Sequence, residues 1–286
     1  MHPSAAWTLL LAQTAFSQKT QVDSALLATF ERYAAFASAS YSSDCSDPPF
    51  GSVAEKYIND VATSTQATLF RDDAAQEYVV SFRGTSDVQD FVTDLDQKLV
   101  SCVAPGLQCL GCTCAQGYLR QYNAVAAEVK SAIDSGIGKH PGYSLVITGH
   151  SMGGALASLG AASLHGQGLS LVTYTYGQPR TGDQTYADFI DAMFNGTMYR
   201  LTHKNDGVPQ IPPQSDGYRH HSTEYWQSDD PPTTANTFRC QGQEPSDCNQ
   251  SEIGFGIGNG GRGINLAHLS YFGVSIGNPL NPNAAC

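Results

Sequence analysis

The stretch YSLVITGHSMGGALASLGAASL, residues 143–164, runs from an apolar strand (Tyr143–Thr148) through the pentapeptide Gly149-His150-Ser151-Met152-Gly153 into a helix rich in small residues (Ala155–Leu164). G-x-S-x-G is a weak signal by itself in a chain with 28 glycines. Its setting gives it meaning. A serine on a sharp strand-to-helix turn sits in strained backbone, needs flanking glycines to avoid side-chain collisions, and projects its hydroxyl above a sheet. The plain alternative is a glycine-rich helix start with a capping serine. Strand, turn and helix in direct succession favour Ser151 as a nucleophile.

Working outward, Asp23–Ser40 carries apolar residues at helical spacing, and Glu77–Phe82 (EYVVSF) is a short buried strand broken by Arg83-Gly84-Thr85. Leu119–Ile133 reads as a helix stopped near Gly136 and Gly138. Leu171–Tyr176 and Met198–Thr202 read as strands, with a helical stretch around Tyr186–Met193 between them. Strands alternating with helices predict an α/β class: a central, mostly parallel sheet flanked by helices, in one α/β-hydrolase-type domain. No linker or repeat divides residues 18–286. Beyond Asp206, prolines and the glycine-rich run Gly254–Gly263 predict a loop-rich region. That run has no P-loop lysine and no preceding Rossmann strand, so a flexible loop is expected rather than a phosphate cradle.

Hydrophobic residues make up 41% and charged residues 14%, which suits a large core and argues against disorder. The formal net charge of -11 disfavours nucleic acid and repels anionic lipid head groups, so contact with a lipid surface has to rest on apolar groups. Residues 1–17 contain an apolar segment, Ala5–Ala15, too short to span a bilayer; a signal peptide and a secreted protein without a transmembrane anchor are expected, although an extension of the mature protein would read similarly. Eight cysteines fit an oxidising compartment, and eight allow 105 pairings. Cys109, Cys112 and Cys114 lack a second ligand pair at finger spacing, so bridges are preferred to a metal knuckle. Asn195 and Asn249 open glycosylation sequons.

On this fold the acid and the histidine follow the serine, at the ends of later strands. Asp206 comes just after the strand Met198–Thr202, whereas Asp183, Asp188 and Asp191 fall on the preceding turn and helix. Its alternative is a solvated turn aspartate before glycine. His268, in INLAHLSYF near the end of the chain, is placed as the final member. His203, His220 and His221 read as packing, hydrogen-bonding or surface residues.

At these residues the chain resembles the fungal class 3 lipase family, which includes triacylglycerol lipases of filamentous fungi and related feruloyl esterases. VVSFRGT (79–85), TGHSMGGALASL (148–159), YTYGQPRTGD (174–183), THKNDGVPQIPP (202–213) and HSTEYW (221–226) look like its blocks in its order. The resemblance implies Ser151, Asp206 and His268 as a catalytic triad and the backbone N–H groups of Thr85 and Met152 as an oxyanion hole. It implies pairs Cys45–Cys286, Cys109–Cys112 and Cys240–Cys248, leaving Cys102 and Cys114 for a fourth. Such a mechanism needs no metal or organic cofactor.

Ser86–Leu95 stands where the family has its lid helix. Val88, Phe91, Val92 and Leu95 form an apolar stripe opposite Asp87, Gln89, Asp90 and Asp94. A hinged amphipathic lid is expected; a packed surface helix that never opens is the other reading. The stripe ranks a lipase acting on acylglycerols at a lipid–water interface above a feruloyl or other cell-wall esterase. A non-catalytic lipid- or sugar-binding protein on this fold ranks last, and a monomer is expected.

Overall fold

Along the strand Glu77–Phe82 of the computed structural model, Tyr78, Val80 and Phe82 enter one apolar core and Val79 enters another. This is the two-residue alternation of a strand covered on both faces. The structure describes residues 19–85, 96–257, 261–278 and 286. The leader expected over residues 1–17 and the lid stripe of Val88, Phe91, Val92 and Leu95 lie outside these.

The main sheet contains, in chain order, β1 (Thr20–Gln21), β2 (Val53–Asp60), β3 (Thr65–Asp72), β4 (Glu77–Phe82), β5 (Ser144–His150), β6 (Val172–Tyr176), β7 (Met198–His203), β8 (Glu224–Gln227) and β9 (Thr237–Arg239). Across the sheet they run β1-β9-β8-β7-β6-β5-β4-β3-β2. The strands from β4 to β8 are parallel, with β3 and β2 antiparallel at one edge and β9 and β1 at the other. The chain therefore has a mixed, mostly parallel sheet of the α/β-hydrolase type.

Helix α1 (Ser24–Ala39) covers one face. It starts at Asp23, whose carboxylate accepts from Leu26 N at 2.8 Å, and Phe30, Ala34 and Ala37 pack inward. Helices α2 (Gln116–Lys139) and α3 (Met152–Gly166) cover the other face, joined at its rim by α4 (Gln184–Met193). Between α3 and the sheet, Gly160 faces the rings of Phe82 and Tyr122, and Ser158 Oγ lies 2.9 Å from the Tyr186 hydroxyl.

Helix α2 ends at Lys139, beside Gly138, close to where a stop was expected, with Gly136 inside its last turn. Gly136 serves packing, because a Cβ there would come within 2.7 Å of the Tyr78 ring. One expectation is corrected: the region beyond Asp206 is more than loops, since β8 and β9 extend the main sheet within it. Strand β8 is held against β7 by buried polar groups: Thr202 Oγ1 donates to Glu224 Oε1 at 2.7 Å, and Arg200 pairs with Glu224 at 3.4 Å.

All eight cysteines are paired, as Cys45–Cys286, Cys102–Cys114, Cys109–Cys112 and Cys240–Cys248. Cys45–Cys286 bridges 241 positions and ties the chain end to the segment after α1, where Cys286 Sγ also lies 3.4 Å from the Ala39 carbonyl.

Candidate active site

Ser151 leaves β5 with φ 59° and ψ -131°, a backbone region that non-glycine residues rarely occupy and that costs of order 1–3 kcal/mol. The strain is held by packing and hydrogen bonds. Ser151 N donates to Tyr176 O at 2.8 Å and Gly154 N to Ser151 O at 2.9 Å, while Gly153 leaves no room for a Cβ against the Phe82 carbonyl. Strand β5 thus delivers the serine to the first turn of α3.

The carboxyl end of β7 delivers Asp206 to the same rim. Its Oδ1 accepts from Val208 N at 2.9 Å, and its Oδ2 accepts from His268 Nδ1 at 2.8 Å and from the Tyr271 hydroxyl. Asp206, His268 and Ser151 are 0%, 1% and 4% exposed. A carboxylate this buried needs its oxygens bonded, and three donors supply that. Burial and the Asp206 charge push the Tyr271 pKa well above its ordinary value, so the phenol stays a donor.

Because Asp206 accepts, His268 Nδ1 carries the proton and Nε2 keeps its lone pair. Nε2 is buried and without a hydrogen-bond partner among the described residues. An orphaned basic nitrogen at the same rim as a serine on a strained turn can take the hydroxyl's proton during attack, once substrate draws the two together. Gly177, with φ +55°, lies beside the Asp206–His268 bond; a Cβ there would sit 2.9 Å from Asp206 Oδ2 and from His268 Nδ1.

His268 is further held by His150, the residue before the serine. The two rings stack at 4.4 Å, and His150 Nε2 lies 2.8 Å from the His268 carbonyl. A carbonyl only accepts, so Nε2 carries the His150 proton and Nδ1 accepts from the Tyr41 hydroxyl at 2.8 Å. Burial, and secondarily the neighbouring His268, hold the His150 pKa well below the ordinary histidine value. It is a neutral strut. His203 supports the same turn, with Nδ1 2.9 Å from the Ala267 carbonyl and Nε2 3.1 Å from Asp230.

Thr85 and Met152 stand on either side of the serine. A Cβ on Gly84 would reach within 3.1 Å of Ser151 Cβ, and Thr85 Oγ1 donates to Met152 Sδ at 3.3 Å. Met152 is the first residue of α3, where backbone N–H groups lack intrahelical acceptors and the helix dipole favours negative charge. Two amides and a hydroxyl whose acceptor among the described residues is the weak Met152 sulfur can together receive a developing oxyanion.

The structure thus brings together Ser151, Asp206, His268, Thr85 and Met152. Sequence reasoning left His150, Tyr41, Tyr271 and Gly177 unassigned; Tyr271, three residues after the histidine, carried the nearest thing to a signal. His220 Nε2 lies against the Pro209 carbonyl and His221 Nδ1 against that of Ser222, both at 2.8 Å, in buried packing roles. Of the two sequons, Asn195 is exposed. Asn249 is corrected as an acceptor: it is buried, and its amide nitrogen donates to the carbonyls of Lys204 and Asp206 at 3.2 and 3.0 Å, which leaves the folded chain no place for a glycan.

The profile of the family described as Lipase (class 3) matches residues 79–216. A secreted mono- and diacylglycerol lipase 1 of Fusarium solani is 37% identical over 216 residues, covering 73% of this chain and 60% of that protein. The chain therefore spans less than two thirds of that relative's length. A secreted mono- and diacylglycerol lipase A of Penicillium cyclopium is 32% identical over 226 residues, covering 77% of this chain and 70% of the relative. Among solved structures, a lipase from Rhizopus microsporus var. chinensis superimposes with a TM-score of 0.78 at 27% identity, covering 97% of this chain and 99% of that one.

Proposed function

The chain belongs to the class 3 lipase family, and from that premise we propose that it is a secreted serine ester hydrolase acting on acylglycerols at a lipid–water interface. The observation that carries the reading is the buried Asp206–His268 bond, which leaves His268 Nε2 without a partner among the described residues, its ring stacked at 4.4 Å on His150, the residue before a serine on a strained turn.

Ser151 Oγ attacks the ester carbonyl carbon as His268 Nε2 takes its proton, and Asp206 holds the imidazole tautomer and stabilises the cation. The carbonyl oxygen, now negative, rests on the N–H groups of Thr85 and Met152, each of the kind worth about 3 kcal/mol in the transition state. The Thr85 hydroxyl turns from the Met152 sulfur to join them. The protonated His268 then gives its proton to the departing glyceride oxygen, and the C–O bond breaks. Water, deprotonated by the same nitrogen, attacks the acyl-enzyme; as the tetrahedral intermediate collapses, His268 returns the proton to Ser151 Oγ, the C–O bond to the serine breaks and the fatty acid leaves.

The apolar leader, four disulfides and relatives named as secreted support an extracellular location. No helix among the described residues is long and apolar enough to cross a membrane. Hydrolysis of a tributyrin emulsion tests the reading, with methyl ferulate as the contrast. Ser151→Ala is expected to lower the tributyrin rate by at least about 10³-fold with an unchanged circular dichroism spectrum. Full activity in that variant, or preference for methyl ferulate, refutes the proposal.

A further inference from the structure

The run Ile253-Gly254-Phe255-Gly256-Ile257 alternates large apolar residues with glycine. The segment turns tightly, with Phe255 N donating to the Ile253 carbonyl at 2.9 Å, and Phe255 and Ile257 make isolated bridges to Arg262 and Ile264. Usually the large apolar side chains turn inward. Here the glycines do: Gly254 is buried against Gly207, and Gly256 packs against the Gly263 and Ile264 backbone. Ile253, Phe255 and Ile257 are consequently turned out, at 57%, 70% and 56% exposed. Leu266, 87% exposed, extends the patch.

The segment is firmly attached. Ile257 and Ile264 exchange backbone hydrogen bonds at 2.9 Å in both directions, while Ile264 itself enters the core. Gln210 accepts from Gly254 N at 3.3 Å and donates to the Glu252 carbonyl at 2.9 Å. Asn265 Nδ2 bonds the carbonyls of Phe255 and Asn205 at 2.9 and 2.8 Å. Both partners of the Asp206–His268 bond belong to this block, because Gly207 follows Asp206 and Leu266 shares a helical turn with His268.

Four large apolar side chains exposed on a backbone anchored beside the Asp206–His268 pair make the kind of surface feature that is often functional. We propose that Ile253, Phe255, Ile257 and Leu266 form a fixed docking surface that seats the enzyme on an uncharged ester-lipid surface, with the Asp206–His268 bond at the edge of the contact. The occupant follows from charge and continuity. Arg262 is the one cation of Ile253–Leu266, and the whole chain carries a formal charge of -11, so an anionic surface is repelled and an uncharged one is not. The patch adjoins the site at which an ester must arrive. This inference rests on the proposed lipase reading and deepens it by naming the partner surface.

The test measures adsorption in the Ser151→Ala background, so that hydrolysis is not the readout. The full chain carrying Ser151→Ala is floated by centrifugation with phosphatidylcholine-coated triolein droplets, alongside versions that add Phe255→Ser with Ile257→Ser, or Val103→Ser with Leu110→Ser. The last two residues are also exposed but lie on a different, disulfide-bounded loop. Adsorption is expected to fall at least about ten-fold for the 255/257 variant, given the transfer free energy of two large apolar side chains. It is expected to stay unchanged for the 103/110 variant. Binding to phosphatidylglycerol vesicles is expected to be weaker than to the droplets. An unchanged unfolding midpoint shows that the 255/257 variant is folded. Equal adsorption of that variant, or stronger binding to phosphatidylglycerol, overturns the inference. So does sedimentation showing that the parent is a dimer which the 255/257 changes dissociate, since the patch then seats a second copy. Should intact chain fail on tributyrin while Ser151→Ala still adsorbs through Phe255 and Ile257, the hydrolase reading falls and the docking surface stands.

Discussion

Asp206 accepts hydrogen bonds from His268, Tyr271 and Val208, and only the first was legible before the fold was known. Tyr271→Phe removes one donor from a fully buried carboxylate, a bond of a kind worth about 1.5–3 kcal/mol when the acceptor is charged. The less stabilised carboxylate holds the imidazolium more strongly, which is expected to shift the acidic limb of the kcat/KM profile to higher pH. Loss of the phenol that anchors Asp206 also loosens the aim of His268 and is expected to lower kcat on tributyrin about ten-fold. A merely structural role for Tyr271 would lower activity without moving that limb. Ser151, Asp206 and His268 were readable because chemistry fixes their types and the fold fixes their order. His150 and Tyr41 were not, since they act on the histidine through a backbone carbonyl and a ring nitrogen across 118 and 109 positions. Nothing local marks such partners.

Legibility among the elements followed burial only in part, since β3 and β8 are buried but carry polar residues that interrupt the apolar run. The strands β4 to β7 were read because both their faces are covered, which makes their sequences almost continuously apolar or β-branched. Strand β2 lies at the sheet edge with half of its residues exposed and one buried, so VAEKYIND carries no alternation to read. Short β8 and β9 hide among prolines and glycines for a related reason: their pairing depends on neighbours distant in sequence. Helix α2 shows how a local rule loses to packing. In an exposed helix interior, Gly136→Ala would stabilise by about 1 kcal/mol. Here the added methyl meets the Tyr78 ring at 2.7–3.1 Å. Overpacking of this kind costs about 1–3 kcal/mol, so the net expectation is a lower unfolding midpoint in urea; a raised midpoint would mean that Tyr78 yields freely.

For the whole molecule, three neutral histidines sit inside the fold. Burial lowers His150 and His220 well below the ordinary value and His221 to about 4, with the arginines Arg200 and Arg180 adding to the effect at His220 and Arg200 at His221. In each case the unfolded chain binds the proton more readily than the folded one. Their contribution is complete above about pH 6.5 and is lost as pH falls below it, by up to about 1.4 kcal/mol per pH unit for each group. The formal charge of -11 opposes this, because acidification relieves surface repulsion, but at 0.15 M salt that repulsion is screened beyond about 8 Å. The buried groups should dominate. Urea unfolding is expected to give lower stability at pH 5 than at pH 7.5, with a shallower pH dependence in His220→Gln; a flat profile would contradict the argument.

The Cys45–Cys286 bond closes almost the entire sequence into a covalent ring. A single proteolytic cut anywhere between these cysteines opens the ring without releasing a fragment. Material nicked at an exposed turn, for instance near Gly142 or Gly242, should migrate as one species on a non-reducing gel and separate into two only after reduction. Such a molecule would tolerate a first protease encounter that would dismember a chain with free ends.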